Sequence, residues 1–249
     1  SFFVPLRLER DGLAGYEPET LAWWLALCDV APGGDAWDVG ANTGLFGTLA
    51  AAAGSRGVVA FEPTPELAMC ARRVAAENDL PLTVEQLAAS DVNGTATFFL
   101  SDSTDSSNSL AAGFRESTRQ LDVITERLDA YAERTGRFPS VLKIDTETTE
   151  PAVLRGADEL IRTHRPWILC EVLANCGVEG SLNEMARSWG YRWFHLTEEV
   201  PPPEPPEILG DDTFTYFMYL LAPQELDEDL LTRVRAWRAA LAECGPVSA

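Results

Sequence analysis

The chain has 249 residues, 46% of them hydrophobic, with 39 Asp and Glu against 19 Lys and Arg and a net charge of −20. So acidic a surface repels phosphate backbones and anionic lipid, and no apolar run approaches the roughly 20 residues that span a bilayer, so neither nucleic-acid nor membrane partners are expected. Five widely scattered cysteines (Cys28, Cys70, Cys170, Cys176 and Cys244) form no Cys-x-x-Cys pair and read as reduced core thiols; with only His164 and His195 as nitrogen donors, no structural zinc site is expected.

Residues 1–15 mix Phe2, Phe3, Leu6 and Leu8 with Arg7 and read as an extended arm, with no secretory leader, so a cytoplasmic location is the expectation. Leu21, Trp24, Leu25 and Cys28 recur at helical spacing behind Pro18, which predicts an amphipathic helix over 18–29 that stops before Pro32-Gly33-Gly34. Ala36 to Val39 is a short buried strand. Gly40 and Gly44 then turn the chain into a helix over 45–53. A second strand, 58–61, ends at Glu62 and Pro63, about twenty residues past the turn, where nucleotide-binding folds place the acid that holds a ribose. The turn has neither Gly-x-Gly-x-x-Gly nor the Lys of a P-loop, which argues against a diphosphate. Asp38-x-Gly40-x-x-x-Gly44 suits a cofactor with an amino acid tail and a ribose but no phosphate, a description S-adenosylmethionine meets.

A helix over 65–78 closes a βαβ unit. Residues 82–89 read as a third strand, which Asn93-Gly94 joins to the alternating 95–100 as a hairpin, and the backbone from Ala88 through Ala89 to Asp91 lies where an adenine could stack. The Ser-, Thr- and Asp-rich stretch 101–120 resists assignment and is read either as a lid or as a surface connector. A strand at 121–125 and a helix at 129–135 lead to a buried strand over 140–145, a helix over 151–162 and a strand over 166–172. Asp38, Glu62, Asp145 and Glu171 thus all fall at strand ends, the edge where open parallel sheets bind ligands. The last third predicts a helix at 181–189, strands at 191–196 and 213–220 paired antiparallel, and a helix at 224–242. The stiff Pro201–Pro206 loop is read as a pocket wall or a rigid connector. One domain is expected over 1–249: an N-terminal arm and helix (1–35), a cofactor-binding core (36–172) and a substrate-side C-terminal part (173–249).

Asp38-Val-Gly-Ala-Asn-Thr-Gly44, then Phe61-Glu-Pro63, then Leu142-Lys-Ile-Asp145-Thr-Glu147-Thr-Thr-Glu150 with Val153-Leu-Arg-Gly-Ala157 resemble the FkbM-type methyltransferases over roughly 33–172. The resemblance implies a class I methyltransferase (Rossmann-like) α/β fold, a seven-stranded mixed sheet with helices on both faces and one antiparallel strand. It also implies S-adenosylmethionine as cofactor and, usually, O-methylation of a hydroxyl on a sugar or natural-product intermediate. By it, Asp38, Gly40, Asn42 and Gly44 fall on the cofactor loop, Glu62 on the ribose acid, and Lys143, Asp145, Glu147 and Glu150 on the second motif. The family's Val-Glu-Gly-Ala-Glu after the aspartate is replaced here by Thr146-Glu147-Thr148-Thr149-Glu150, which loses a glycine.

Methyl transfer to a hydroxyl needs in-line alignment and a base within hydrogen-bond reach. His195 has the best unperturbed pKa for that task, and Asp145 and Glu147 are the other candidates. Cofactor contacts are expected from Asp38, Gly40, Asn42, Gly44, Glu62, Ala89, Asp91 and Asp145. The expectation is no bound metal and activity insensitive to a chelator, because backbone amides or Lys143 can satisfy the acids. The alternative is magnesium between Asp145 and Glu171, assisted by Glu147 or Asp211. A nitrogen or carbon methyltransferase, or a protein that binds the cofactor without catalysis, are the other readings. No Asn-Pro-Pro-Tyr or Asp-Pro-Pro-Tyr follows the strand at Asp145. The expected partner is a small-molecule acceptor, whose identity the sequence does not name, and the oligomeric state is not legible.

Overall fold

The computed structural model describes residues 2–54 and 57–246. The chain opens with a helix, α1 (Phe3–Asp11), and a 3-10 turn at Leu13–Gly15, where an extended arm was expected; Ser1 lies outside the described residues. Helix α2 (Pro18–Val30) leads into strand β1 (Asp35–Val39), helix α3 (Leu45–Ala53), strand β2 (Val58–Phe61), helix α4 (Pro65–Glu77) and strand β3 (Leu82–Glu85). Strands β4 (Ala88–Ala89), β5 (Gly94–Leu100) and β6 (Arg119–Glu126) precede helix α5 (Leu128–Thr135) and strand β7 (Pro139–Ile144). Helices α6 (Glu150–Arg155) and α7 (Asp158–His164), strand β8 (Trp167–Glu171), helix α8 (Glu179–Trp189), strands β9 (Arg192–His195) and β10 (Met218–Ala222), and helix α9 (Glu228–Ala242) complete the order.

Seven strands form one mixed sheet in the order β3-β2-β1-β7-β8-β10-β9, in which β10 alone runs antiparallel to its neighbours. The order reverses between β1 and β7, so the crevice at a topological switch point opens above Val39 and Ile144. Period-2 alternation divides the strands between two cores. Ala36, Val58, Val141 and Leu169 face α2, α3 and α9, while Trp37, Val59, Leu142 and Ile168 face α5, α6, α7 and α8. Helix α2 is buried all round from Thr20 to Cys28, because α9 covers the side that an amphipathic reading leaves to solvent.

The expected single strand over 82–89 divides. Residues 82–85 pair parallel with β2, whereas Ala88 and Ala89 pair parallel with β6 in a second sheet of order β4-β6-β5. Strand β5 pairs antiparallel with β6 rather than with its predecessor, so the hairpin expected at Asn93-Gly94 is not formed. The Asn93 side chain accepts instead from the Arg127 amide (2.7 Å). The expected helix over 151–162 breaks at Gly156, whose backbone passes so close to the Ser90 carbonyl that a Cβ would collide with it. Strand β10 starts five residues later than expected because the Asp211 carboxylate gathers the Thr213, Thr215 and Tyr216 amides into a tight turn. The Pro201–Pro206 segment runs along the edge strand β9: Pro203 accepts from the His195 amide (2.9 Å) and Pro205 from the Trp193 indole (2.9 Å). It covers a sheet edge, and none of these prolines lines the large cavity. Cys28 and Cys170 are buried, but Cys176 and Cys244 are exposed, so the thiols are not uniformly core residues. Among the described residues no helix is long and apolar enough to cross a membrane.

Candidate active site

A cavity of about 720 Å³ sits over the carboxyl ends of β1, β2, β7 and β8. Its floor on one side is the glycine turn. Gly40 has φ 80°, and a Cβ there would collide with the Asp145 carbonyl, so only glycine lets the β1 and β7 ends close on each other. Asn42, with φ 51°, then turns its amide to the Glu62 carboxylate (2.9 Å), which also accepts the Thr64 amide (2.8 Å). Each Glu62 oxygen has one amide donor and keeps a lone pair for a ligand, an arrangement that suits a ribose diol. Burial pushes the Glu62 carboxyl up to about 7, against the opposing pull of those amides. The Asn42 side chain donates to the Asp105 carbonyl (3.2 Å), and the Asp105 carboxylate accepts the Phe3 amide (2.9 Å). These bonds draw the 105–108 turn and α1 over the cavity, so part of the polar 101–120 stretch belongs to the site wall.

Opposite lies an acidic half. The β7–β8 register continues from Ile144 beside Cys170, which sets Asp145 next to Glu171. Lys143, almost wholly buried, donates to Asp145 (2.8 Å), lies 3.8 Å from Asp38 and sits 4.5 Å from the centre of the Phe46 ring. Burial lowers its pKa, but Asp145, Asp38 and Glu17 together outweigh burial and hold it charged. After Asp145 the chain makes a left-handed turn at Glu147 (φ 56°) and Thr148 (φ 81°). Thr148 occupies the position of the family's missing glycine. The turn keeps a glycine-like conformation with a β-branched residue in it, at a strain of about 1–3 kcal/mol. Ser109 holds it by donating to the Glu147 carbonyl (2.7 Å), and buried Glu150 accepts from the Thr146 amide (2.8 Å) and hydroxyl (3.0 Å). Burial first, then Asp145 and Glu150, raise the Glu147 carboxyl; burial, then Asp145 and Glu147, raise Glu171 well above the carboxylate range.

Of the sequence candidates, Gly40, Asn42, Glu62, Ala89, Asp145 and Glu147 line this one cavity, and Asp38, Gly44, Asp91 and His195 do not. Asp38 is fully buried beneath the turn, where it accepts the Gly47 amide (3.1 Å) and faces Lys143, so it supports the loop from below. Gly44 (φ 83°) is tight because α4 passes it: a Cβ would lie 2.7 Å from that of Ala71. Asp91 pairs with Arg155 on the surface (3.0 Å). His195 stacks on Tyr219 with ring centres 4.7 Å apart and contacts the Tyr216 carbonyl through Nε2 (3.0 Å). Its strand is at the sheet edge, beyond β10, which carries it away from the crevice. His195 is therefore not placed to act as the base.

Sequence reasoning missed α1, Tyr16 and Glu17, which line the cavity from the N-terminal side. The helical recurrence of Phe3, Val4 and Arg7 was a usable signal for α1; nothing local announces that Glu17, before Pro18, reaches the strand ends. Burial and then Asp145 raise the Glu17 carboxyl.

The match to known proteins agrees with this geometry. Residues 38–193, more than half of the chain, match the methyltransferase FkbM domain and extend the resemblance beyond Val172. Methyltransferase FkbM from Methylobacillus flagellatus KT aligns with a TM-score of 0.50 at 15% identity, over 76% of this chain and 43% of that one. The S-adenosylmethionine-dependent methyltransferase from Agrobacterium tumefaciens aligns with a TM-score of 0.49 at 11% identity, over 84% of this chain and 63% of that one. Precorrin-6y C5,15-methyltransferase from Geobacter metallireducens GS-15 aligns with a TM-score of 0.48 at 10% identity, over 83% and 88%. The chain thus spans less than two thirds of the length of the first two. No curated protein matches it by sequence. With the switch-point crevice, the glycine turn and Glu62 in place, the chain belongs to the FkbM methyltransferases and has a class I methyltransferase fold.

Proposed function

We propose that this protein transfers a methyl group to a hydroxyl of a small molecule, a sugar or a natural-product intermediate, acting as one catalytic unit in the cytoplasm. The observation that carries the reading is the position of Glu147: a carboxylate in the cavity, beside Asp145, whose proton affinity is raised toward neutral pH. A base of that kind accepts a hydroxyl proton far better than an ordinary exposed carboxylate. Bound S-adenosylmethionine supplies an electrophilic methyl that needs no further activation, so the chain's task is to align the acceptor and take its proton. Glu62 and the Asn42–Thr43 turn hold the ribose end, Leu87 to Ala89 offer an apolar wall to the base, and Asp145, anchored by Lys143, sets the reacting side. The net charge of −20 favours a neutral or cationic small acceptor over a nucleic acid.

Calorimetric titration with S-adenosylhomocysteine tests the cofactor half; a micromolar site, roughly −8 kcal/mol, is expected in the wild type and not in Glu62→Ala. Incubation with methyl-labelled S-adenosylmethionine and a panel of hydroxylated acceptors tests the rest. A product methyl carbon bonded to oxygen is expected, and one bonded to nitrogen or carbon would reassign the acceptor.

A further inference from the structure

We propose that Asp145, Glu147 and Glu171 bind a divalent cation that prefers oxygen ligands, and that this cation holds the acceptor hydroxyl on the floor of the cavity. The three residues each bring a carboxylate oxygen within 4.8 Å of the others. A cation bound at about 2.3–2.6 Å keeps its ligands at such separations. The set consists only of carboxylates, the donors that suit magnesium, manganese or calcium.

The orphaned oxygen of Glu171 points to the ligand. Glu171 is 8% exposed, and its Oε2 is buried without a hydrogen-bond partner. A buried acceptor left in that state costs about 1–3 kcal/mol, and more when charged, unless something occupies it. Among the described residues no hydrogen-bond donor reaches it. Lys143 is engaged with Asp145 at 2.8 Å and shared with Asp38 at 3.8 Å. Glu150, the next acid, has its Oε1 taken by the Thr146 amide and hydroxyl. Asp211, an alternative ligand on sequence grounds, gives its oxygens to the Thr213, Thr215 and Tyr216 amides and the Thr213 hydroxyl. Backbone geometry points the same way. Two successive non-glycine residues, Glu147 and Thr148, adopt left-handed φ, and Ser109 holds the turn that brings Glu147 to the other two acids.

Binding of the cation is independent of the methyl-transfer reading, and only its task rests on that reading. An acceptor hydroxyl would take an open position on the cation, and coordination would make its proton easier to remove.

The test is a titration of the full chain with Mn2+ followed by electron paramagnetic resonance, with and without S-adenosylhomocysteine, and with Mg2+ as competitor. One Mn2+ per chain is expected, displaced by Mg2+ and bound at least about tenfold more weakly by Glu171→Gln and Glu147→Gln. Glu171→Gln removes a buried acid whose charged form has no protein partner, so its metal-free melting temperature should equal or exceed that of the wild type. Mn2+ bound no more tightly by the wild type than by Glu171→Gln would overturn the site. If S-adenosylhomocysteine binds and Mn2+ does not, the cation fails and the methyl-transfer reading stands; Mn2+ binding without S-adenosylhomocysteine binding gives the reverse.

Discussion

Glu62 and Glu171 stand at the ends of neighbouring regions of one sheet, both buried and both acids, and they are served differently. Glu62 follows β2, where the Asn42 turn and the start of α4 aim two amides at it. Glu171 ends β8, where the next residues lead into the 173–178 loop and no amide reaches its Oε2. The half proposed to hold the cofactor is therefore built from backbone, with its donors already in place. The half proposed to take the acceptor is built from carboxylates that face one another, with Lys143 paired to Asp145 and no donor on Glu171 Oε2. A preformed neutral site thus lies beside an electrostatically incomplete one, and each half should respond differently to mutation.

The largest effect should come from closing the contact that joins the two halves. Gly40→Ala puts a Cβ into the Asp145 carbonyl at a left-handed φ, and a loss of more than about 3 kcal/mol in chemical denaturation is expected, together with loss of cofactor binding. An unchanged midpoint would mean that β1 and β7 do not meet there. Lys143→Met removes the buried cation that balances Asp38 and Asp145, and a cost of about 3–5 kcal/mol is expected by the same measurement.

Titration sharpens the comparison from the cofactor side. The Glu62 carboxyl is raised in the folded chain to about 7, so its contribution favours folding below the unfolded carboxyl range and is lost as pH rises through 7. Relative to Glu62→Gln, which does not titrate, the wild type should lose on the order of 3 kcal/mol of stability between pH 4 and 8. A pH-independent difference between the two melting curves would show that Glu62 is not held in this state.

Smaller effects test the acceptor half. Thr148→Gly relaxes the strained turn and should stabilise the chain by about 1 kcal/mol, unless the lost side chain matters more than its φ of 81°. His195→Asn should leave kcat within about twofold, since the ring stacks on Tyr219 away from the cavity. A loss of activity with a shifted pH profile would return His195 to the reacting centre.

Much of the cofactor half was legible because its signals are local. A strand, a glycine turn and an acid about twenty residues on share one βαβ unit, and the chemistry of each is visible in its own residue type. Gly40, Asn42 and Glu62 were singled out this way and line the cavity, and the family resemblance agrees with the domain match over 38–193. Asp38 was read as a cofactor ligand because strand-end acids look alike in sequence; alternation sends its side chain beneath the sheet edge toward Lys143 instead. His195 was chosen on its pKa, a property of the residue that says nothing about which strand lies between it and the crevice.

By itself, the sequence determined the alternation of strands and helices, the glycine turn and the acids at four strand ends, since these depend on residue type and short-range spacing. Tertiary structure alone decided which strands are neighbours: it paired β5 with β6, set Asp145 beside Glu171, and carried α1 and Glu17 over the cavity. It also decided that amides satisfy Glu62 and leave an oxygen of Glu171 without a donor. Hydrogen-bond satisfaction depends on what the rest of the chain brings within about 3 Å, and residues far apart in sequence supply it.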